Sequence, residues 1–144
     1  GKRMKEKTTD DLSCEMMEES DINSYLSKNN SCFSDQSVAE LLNALYKKKT
    51  MTKAALARRA GVSEVYLHQV FAGRRKPSRD RLLCLCIGLE ATLEEAQRLL
   101  QQAVYAQLYF RRKRDAIIGH GLVHHTGLDE INDRLFAEGE KTLI

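Results

Sequence analysis

Residues 52–73 specify two short helices that meet at one glycine, and this feature limits the possible folds more than any other. Thr52 and Ser63 are favourable N-cap residues, so one helix can begin after each of them. Gly61 and Gly73 stand where these helices must end, because glycine accepts the left-handed backbone conformation that closes a helix. The segment therefore predicts two crossed helices joined by a tight turn.

Apolar and small side chains fall where two crossed helices must touch. The predicted contact residues are Leu56, Ala57, Ala60, Val62, Leu67 and Val70. The two alanines allow the backbones to approach closely. If Leu67 and Val70 face inward, the helical period turns the opposite side of the second helix outward. This is helix-turn-helix geometry, in which the outer face of the second helix can enter the major groove of DNA.

The outward face of the second helix, over about residues 63–72, carries side chains that can read bases. Gln69 can make a bidentate pair with adenine, Glu64 can accept from the amino group of cytosine, and Val65 can contact a thymine methyl group. The predicted base-reading residues are Ser63, Glu64, Val65, His68 and Gln69. The predicted phosphate-contacting residues are Thr52, Lys53, Arg74, Arg75 and Lys76.

Positive charge is concentrated in the same part of the chain. The formal net charge is +3, yet residues 47–81 contain eleven Lys and Arg residues against Glu64 and Asp80, a local excess of nine charges. A polyanion would be attracted to this segment through the release of its counterions. A solvated basic face is the alternative that charge alone leaves open. A second basic run, Arg111–Arg114, could extend a phosphate-binding surface or form a solvated linker.

Helix signals continue along most of the remaining chain. A capping-box pattern at Ser37 predicts a first helix over about residues 38–48. Pro77 and Ser78 break the chain before a fourth helix over about residues 79–88, and Thr92 opens a fifth. One proline and eight glycines are too few turn formers for an antiparallel sandwich. We therefore expect an all-α protein.

The chain divides into three predicted parts. Residues 1–33 are rich in polar and charged side chains and form a partly ordered N-terminal arm. Residues 34–106 hold a five-helix domain that contains the two crossed helices, and residues 107–144 form a C-terminal helical hairpin.

A weak internal repeat, called the echo below, runs through the second half of the chain. The pair Arg79-Asp80 returns as Arg114-Asp115, at an offset of 35 residues. From these pairs onward, six of 30 aligned positions are identical. Each copy predicts a helix, a short turn and a second helix. A duplicated helical hairpin and a chance likeness between amphipathic helices both fit this pattern.

Residues 38–90 resemble the Cro/CI-type, XRE-like helix-turn-helix regulators of bacteria and phages. The residues that carry the resemblance are Leu56, Ala57, Gly61, Val62, Ser63, Leu67 and the run from Gly73 to Ser78. The stretch from Tyr66 to Asp80, with the duplicated tail, looks like a bacterial subgroup with a helical C-terminal extension. The resemblance implies a lambda-repressor-like fold of five helices, sequence-specific DNA binding and a role in transcription regulation.

The resemblance also implies roles for single residues. Lys53 stands where many relatives have a phosphate-contacting glutamine, and Glu64, Val65 and Gln69 stand at base-facing positions. Glu64 and Val65 depart from the polar residues common there. A second interpretation therefore stays open, in which the fold serves as a non-catalytic module for protein contact.

Signatures of catalysis, metal binding and membrane insertion are missing from the sequence. We find no glycine-rich phosphate loop, no nucleophile paired with a base and no zinc-type spacing, so we expect neither an enzyme nor a cofactor. His120 and His124 lie one helical turn apart, and we interpret them as solvated or core histidines. Cys84 and Cys86 read as buried thiols in a reducing compartment. With no apolar run long enough to span a bilayer, we expect a cytoplasmic protein without membrane contact.

The expected partners follow from the geometry of groove reading. One recognition helix reads only a few base pairs, so useful specificity on double-stranded DNA predicts a homodimer on a pseudo-palindromic site. The arm or the C-terminal hairpin could supply that contact or receive a protein partner.

Overall fold

The computed structural model describes residues 34–144, so the arm predicted at residues 1–33 lies outside the described residues. The described part of the chain contains seven α-helices and no strand, which confirms the all-α prediction. The helices are α1 (Ser34–Lys47), α2 (Lys53–Ala60), α3 (Glu64–Phe71), α4 (Arg79–Gly88), α5 (Leu93–Gln102), α6 (Lys113–Val123) and α7 (Leu128–Ala137). The predicted crossed helices are α2 and α3.

The predicted caps at the starts of α2, α3 and α5 are confirmed, α4 has a cap that was not predicted, and the cap predicted for α1 is not used. The hydroxyl groups of four cap residues accept from backbone N–H groups at the starts of α2, α3, α4 and α5, and these are Thr52, Ser63, Ser78 and Thr92. Thr92 and Glu95 form a complete capping box. The predicted cap at Ser37 is wrong, because α1 begins at Ser34. Neither glycine nor proline separates these two serines, so nothing stops the helix from extending toward the N terminus.

The turn between α2 and α3 requires its glycine. Gly61 has a φ of 65°, in the left-handed region, and its N–H donates to the carbonyls of Ala57 and Arg58. Leu56, Leu67 and the other predicted contact residues are buried, except that Val62 is only partly buried. The predicted packing of the two crossed helices is thus confirmed.

Helix α4 lies at the centre of the fold. It contacts α2, α5, α6 and α7, and every residue from Leu82 to Leu89 is buried. Burial raises the pKa of the Cys84 thiol to about 11 and that of the Cys86 thiol to about 12. The interpretation of both as buried thiols is confirmed, and at neutral pH they remain protonated and unreactive.

The two predicted hairpins are both present and are related by the same 35-residue offset. Helices α4 and α5 form the first hairpin, and α6 and α7 form the second. Their starts are joined by a reciprocal exchange of ion pairs. Arg114 Nη1 lies 3.0 Å from Asp80 Oδ1, and Arg79 Nη2 lies 3.4 Å from Asp115 Oδ2. This exchange is what an approximate two-fold relation between two equivalent hairpins produces.

Equivalent residues also close the two hairpins in the same way. Gln97 Oε1 accepts a hydrogen bond of 2.7 Å from the N–H of Leu108. Asn132 Oδ1 accepts one of 2.8 Å from the N–H of Leu143. Donor and acceptor are both displaced by 35 residues, so the sequence echo is a structural duplication and not a chance likeness.

The two hairpins differ in the burial of one face. Leu85, Leu89 and Leu99 are fully buried in the first hairpin, on which α1 and α2 pack. The equivalent residues of the second hairpin are His120, His124 and Arg134, and all three are exposed. The two histidine rings lie 4.2 Å apart between centroids. They belong to a solvated face, and the described residues contain no group of three potential ligands that could hold a metal ion.

The described helices do not include a membrane span. Each of them is too short or too polar to cross a bilayer.

Candidate nucleic-acid interface

Helix α3 presents one polar face outward, as its period predicts. Leu67 and Val70 are buried in the core, whereas Glu64 and His68 are exposed. Val65 is 68% exposed. The outer face of α3 therefore presents polar side chains and one valine to solvent.

An open concavity of about 580 Å³ joins the two predicted classes of residue. Val65, His68 and Gln69 line it from α3, Lys53 lines it from the start of α2, and Arg74 lines it from the turn after α3. The predicted base-reading side chains thus share one concavity with two cations. This is the arrangement that a helix needs when it enters a groove whose walls are phosphate backbones.

Two aromatic rings hold the cation at the start of α2. The Lys53 ammonium lies 5.3 Å from the ring centroid of Phe71 and 5.7 Å from that of Tyr46. The two rings pack edge to face against each other. Cation–π attraction keeps the charge at the rim of the concavity while leaving the ammonium protons available to a phosphate oxygen.

The Arg75 side chain contacts a residue on the outer face of α3. Its Nη1 donates to Gln69 Oε1 at 3.3 Å, and its guanidinium lies 4.7 Å from the Tyr66 ring centroid. Arg81 approaches the same ring at 5.1 Å. Burial raises the pKa of Tyr66, and the two guanidinium groups act against that rise without cancelling it. The predicted phosphate contact at Arg75 is therefore coupled to the predicted base contact at Gln69.

The remaining predicted residues have local structural partners. Thr52 Oγ1 accepts from the Ala55 N–H and Ser63 Oγ accepts from the Tyr66 N–H, both at 3.1 Å, so both hydroxyl oxygens act as helix caps. Lys76 is exposed, and its ammonium lies 4.9 Å from the Tyr105 ring centroid.

This geometry agrees with what comparison with known families gives. Residues 37–99 match the family model described as a helix-turn-helix domain. The match takes in α2, α3 and the helices that support them, and it ends before the second hairpin. A helix-turn-helix domain indicates DNA binding. Neither the curated proteins nor the solved structures gave a match.

Sequence reasoning missed the aromatic partners of the cations in the helix-turn-helix domain. Tyr46 and Tyr105 lie outside the crossed helices, and each reaches a cation only through the tertiary fold. The only sequence signal was the presence of isolated aromatic residues near a basic segment. Such residues are more often part of the core, as Tyr66 and Phe71 are here.

Proposed function

We propose that this protein is a sequence-specific DNA-binding transcriptional regulator that inserts α3 into the major groove. The observation that carries the proposal is the concavity that the outer face of α3 shares with Lys53 and Arg74. Cations beside this face can meet the phosphates that flank a groove. The match of this part of the chain to a helix-turn-helix domain supports the same function.

The two classes of residue have different tasks in this mechanism. Gln69, Glu64 and Val65 contact adenine, cytosine and thymine edges, and each good pair discriminates by about 1 to 3 kcal/mol. Lys53 and Arg74 neutralise phosphates, which adds affinity that does not depend on sequence.

Substitutions at Lys53 and Gln69 separate these tasks. A duplex first selected from a random pool provides the ligand. We expect Lys53→Ala to weaken binding to every duplex and to reduce the slope of log Kd against log salt by about 0.9. We expect Gln69→Ala to relax the preference at one base pair and to leave that slope unchanged.

Arg134→Ala on α7 is the matched control for loss of one exposed cation. Identical losses in the Lys53 and Gln69 variants, in affinity and in base preference, would contradict the division of tasks.

We also propose that the protein binds its DNA site as a homodimer. A single α3 reads only a few base pairs, and two copies on half-sites one DNA turn apart multiply the discrimination. Sedimentation of the complex with the selected duplex tests this, and we expect two chains per duplex. A complex with one chain per duplex would show that the regulator reads its site alone.

The second candidate function is a non-catalytic module that binds another protein through the same fold. Glu64 and the exposed Val65 favour it, because an acid repels phosphates and an apolar side chain gains little from water or a charged backbone. Such a module would show no affinity for DNA near physiological salt.

A further inference from the structure

The chain between the two hairpins lies against the segment that leaves α3. The Tyr105 hydroxyl donates to the Pro77 carbonyl at 2.7 Å, and the Lys76 ammonium lies over the Tyr105 ring. Arg79 Nε donates to the Ala106 carbonyl at 2.9 Å. The first part of this linker is therefore fixed beside the predicted phosphate-contacting cluster.

The far end of the linker returns to the same place. Asp115 Oδ2 accepts from the Tyr109 N–H at 2.8 Å and from Arg79 Nη2 at 3.4 Å. Asp80 and Arg114 form the reciprocal pair. Both ends of the linker are thus tied to the start of α4, which follows directly on the basic residues after α3.

Two cations in the basic run of the linker have no structural partner among residues 34–144. Lys113 lies 3.8 Å from Glu138, and Arg114 binds Asp80. Arg111 and Arg112 are exposed and form no ion pair within the described part of the chain. The run therefore divides into two residues that have ion-pair partners and two exposed residues that have none among the described residues.

The charges of these two arginines are not balanced by an ion pair within the described part of the chain. The carboxylates of Asp80 and Asp115 are neutralised by the reciprocal arginines. Planar guanidinium groups match phosphate oxygens in two-pronged hydrogen bonds and are desolvated at lower cost than ammonium groups. Tyr109, 54% exposed, precedes Arg111 by two positions and offers a flat ring for a sugar.

We propose that Arg111 and Arg112 form a second phosphate-binding surface, which contacts the backbone of the same DNA duplex that α3 reads. The proposed ligand is the duplex backbone, because guanidinium groups match the oxygens of phosphates. This inference rests on the proposed function, and it extends the interface from that domain into the duplicated hairpins.

The test is the salt dependence of binding by the full chain and by the double variant Arg111→Ala/Arg112→Ala. We expect the slope of log Kd against log salt to fall by about 1.8, and the affinity at 0.1 M salt to fall on the order of 50-fold. Base preference, measured by selection from random duplexes, stays that of the wild type. The variant Arg111→Lys/Arg112→Lys keeps both charges and should recover most of the slope.

Each outcome separates this inference from the proposed function. If the wild type binds DNA and the alanine variant keeps its slope and affinity, the linker is only solvated and the inference fails. A variant that also loses base preference would overturn it as well. If the wild type binds no duplex at all, the proposed function itself has failed. Since both side chains are exposed, a thermal melt of each variant should match the wild type, as should that of the control Arg134→Ala.

Discussion

Asp115→Ala is expected to lower the free energy of unfolding by about 3 kcal/mol, measured by urea denaturation. Among the described residues Asp115 is the buried charged one, at 5% exposure. Its carboxylate accepts from Arg79 and from the Tyr109 N–H, so alanine leaves a guanidinium and a backbone donor without their shared acceptor. The cost is large because the carboxylate itself is buried and two donors lose the one acceptor that they share at the junction of the hairpins.

The duplicated fold supplies a matched control for this substitution. Asp80 is the equivalent residue of the first hairpin and binds Arg114, but its side chain is 25% exposed. Within residues 34–144 Asp80 accepts from no backbone N–H, and Arg114 keeps its contacts to two backbone carbonyls, so we expect Asp80→Ala to cost only about 1 kcal/mol. Equal costs for the two variants, or a larger one for Asp80, would show that the reciprocal ion pairs do not fix the second hairpin as described.

The triple variant Arg74→Ala/Arg75→Ala/Lys76→Ala is expected to lose most of its affinity for DNA. If each side chain neutralises one phosphate, the slope of log Kd against log salt falls by about 2.7. The corresponding affinity loss at 0.1 M salt is on the order of 500-fold. All three side chains are exposed, so the fold should survive, which circular dichroism can check.

Single variants of this cluster distinguish two roles. Arg75 donates to Gln69, so Arg75→Ala should also relax the base preference that Gln69 supplies. Arg74→Ala should weaken binding without changing that preference. A triple variant whose binding keeps the salt slope of the wild type would remove the cluster from the interface.

Local signals were sufficient to predict most of the helices. An N-cap such as Thr52 and a turn residue such as Gly61 act within three or four positions, so their effect can be read from the sequence. The start of α1 was misplaced because Ser37 is a possible cap without being a necessary one. The helical period likewise predicted that Leu67 would be buried and Glu64 exposed.

Local sequence signals could not predict the contacts between helices that are distant in the sequence. The Arg79-Asp80 echo predicted two similar hairpins, but the cross-pairing of Arg79 with Asp115 depends on how the hairpins dock. Tertiary structure likewise determines the hydrogen bond from Arg75 to Gln69 and the contact of the Lys76 ammonium with the Tyr105 ring. Periodicity assigns a side chain to a face, and packing alone decides which neighbour it meets there.

Binding of the wild-type chain to a random-sequence DNA duplex, titrated with salt, tests the central proposal most directly. A groove-binding helix with cations beside it predicts non-specific binding with Kd on the order of 10⁻⁴ to 10⁻⁶ M near physiological salt, and tighter binding as salt is lowered. Absence of binding at that salt concentration, from a chain shown to be folded, would contradict DNA binding and favour the protein-contact module.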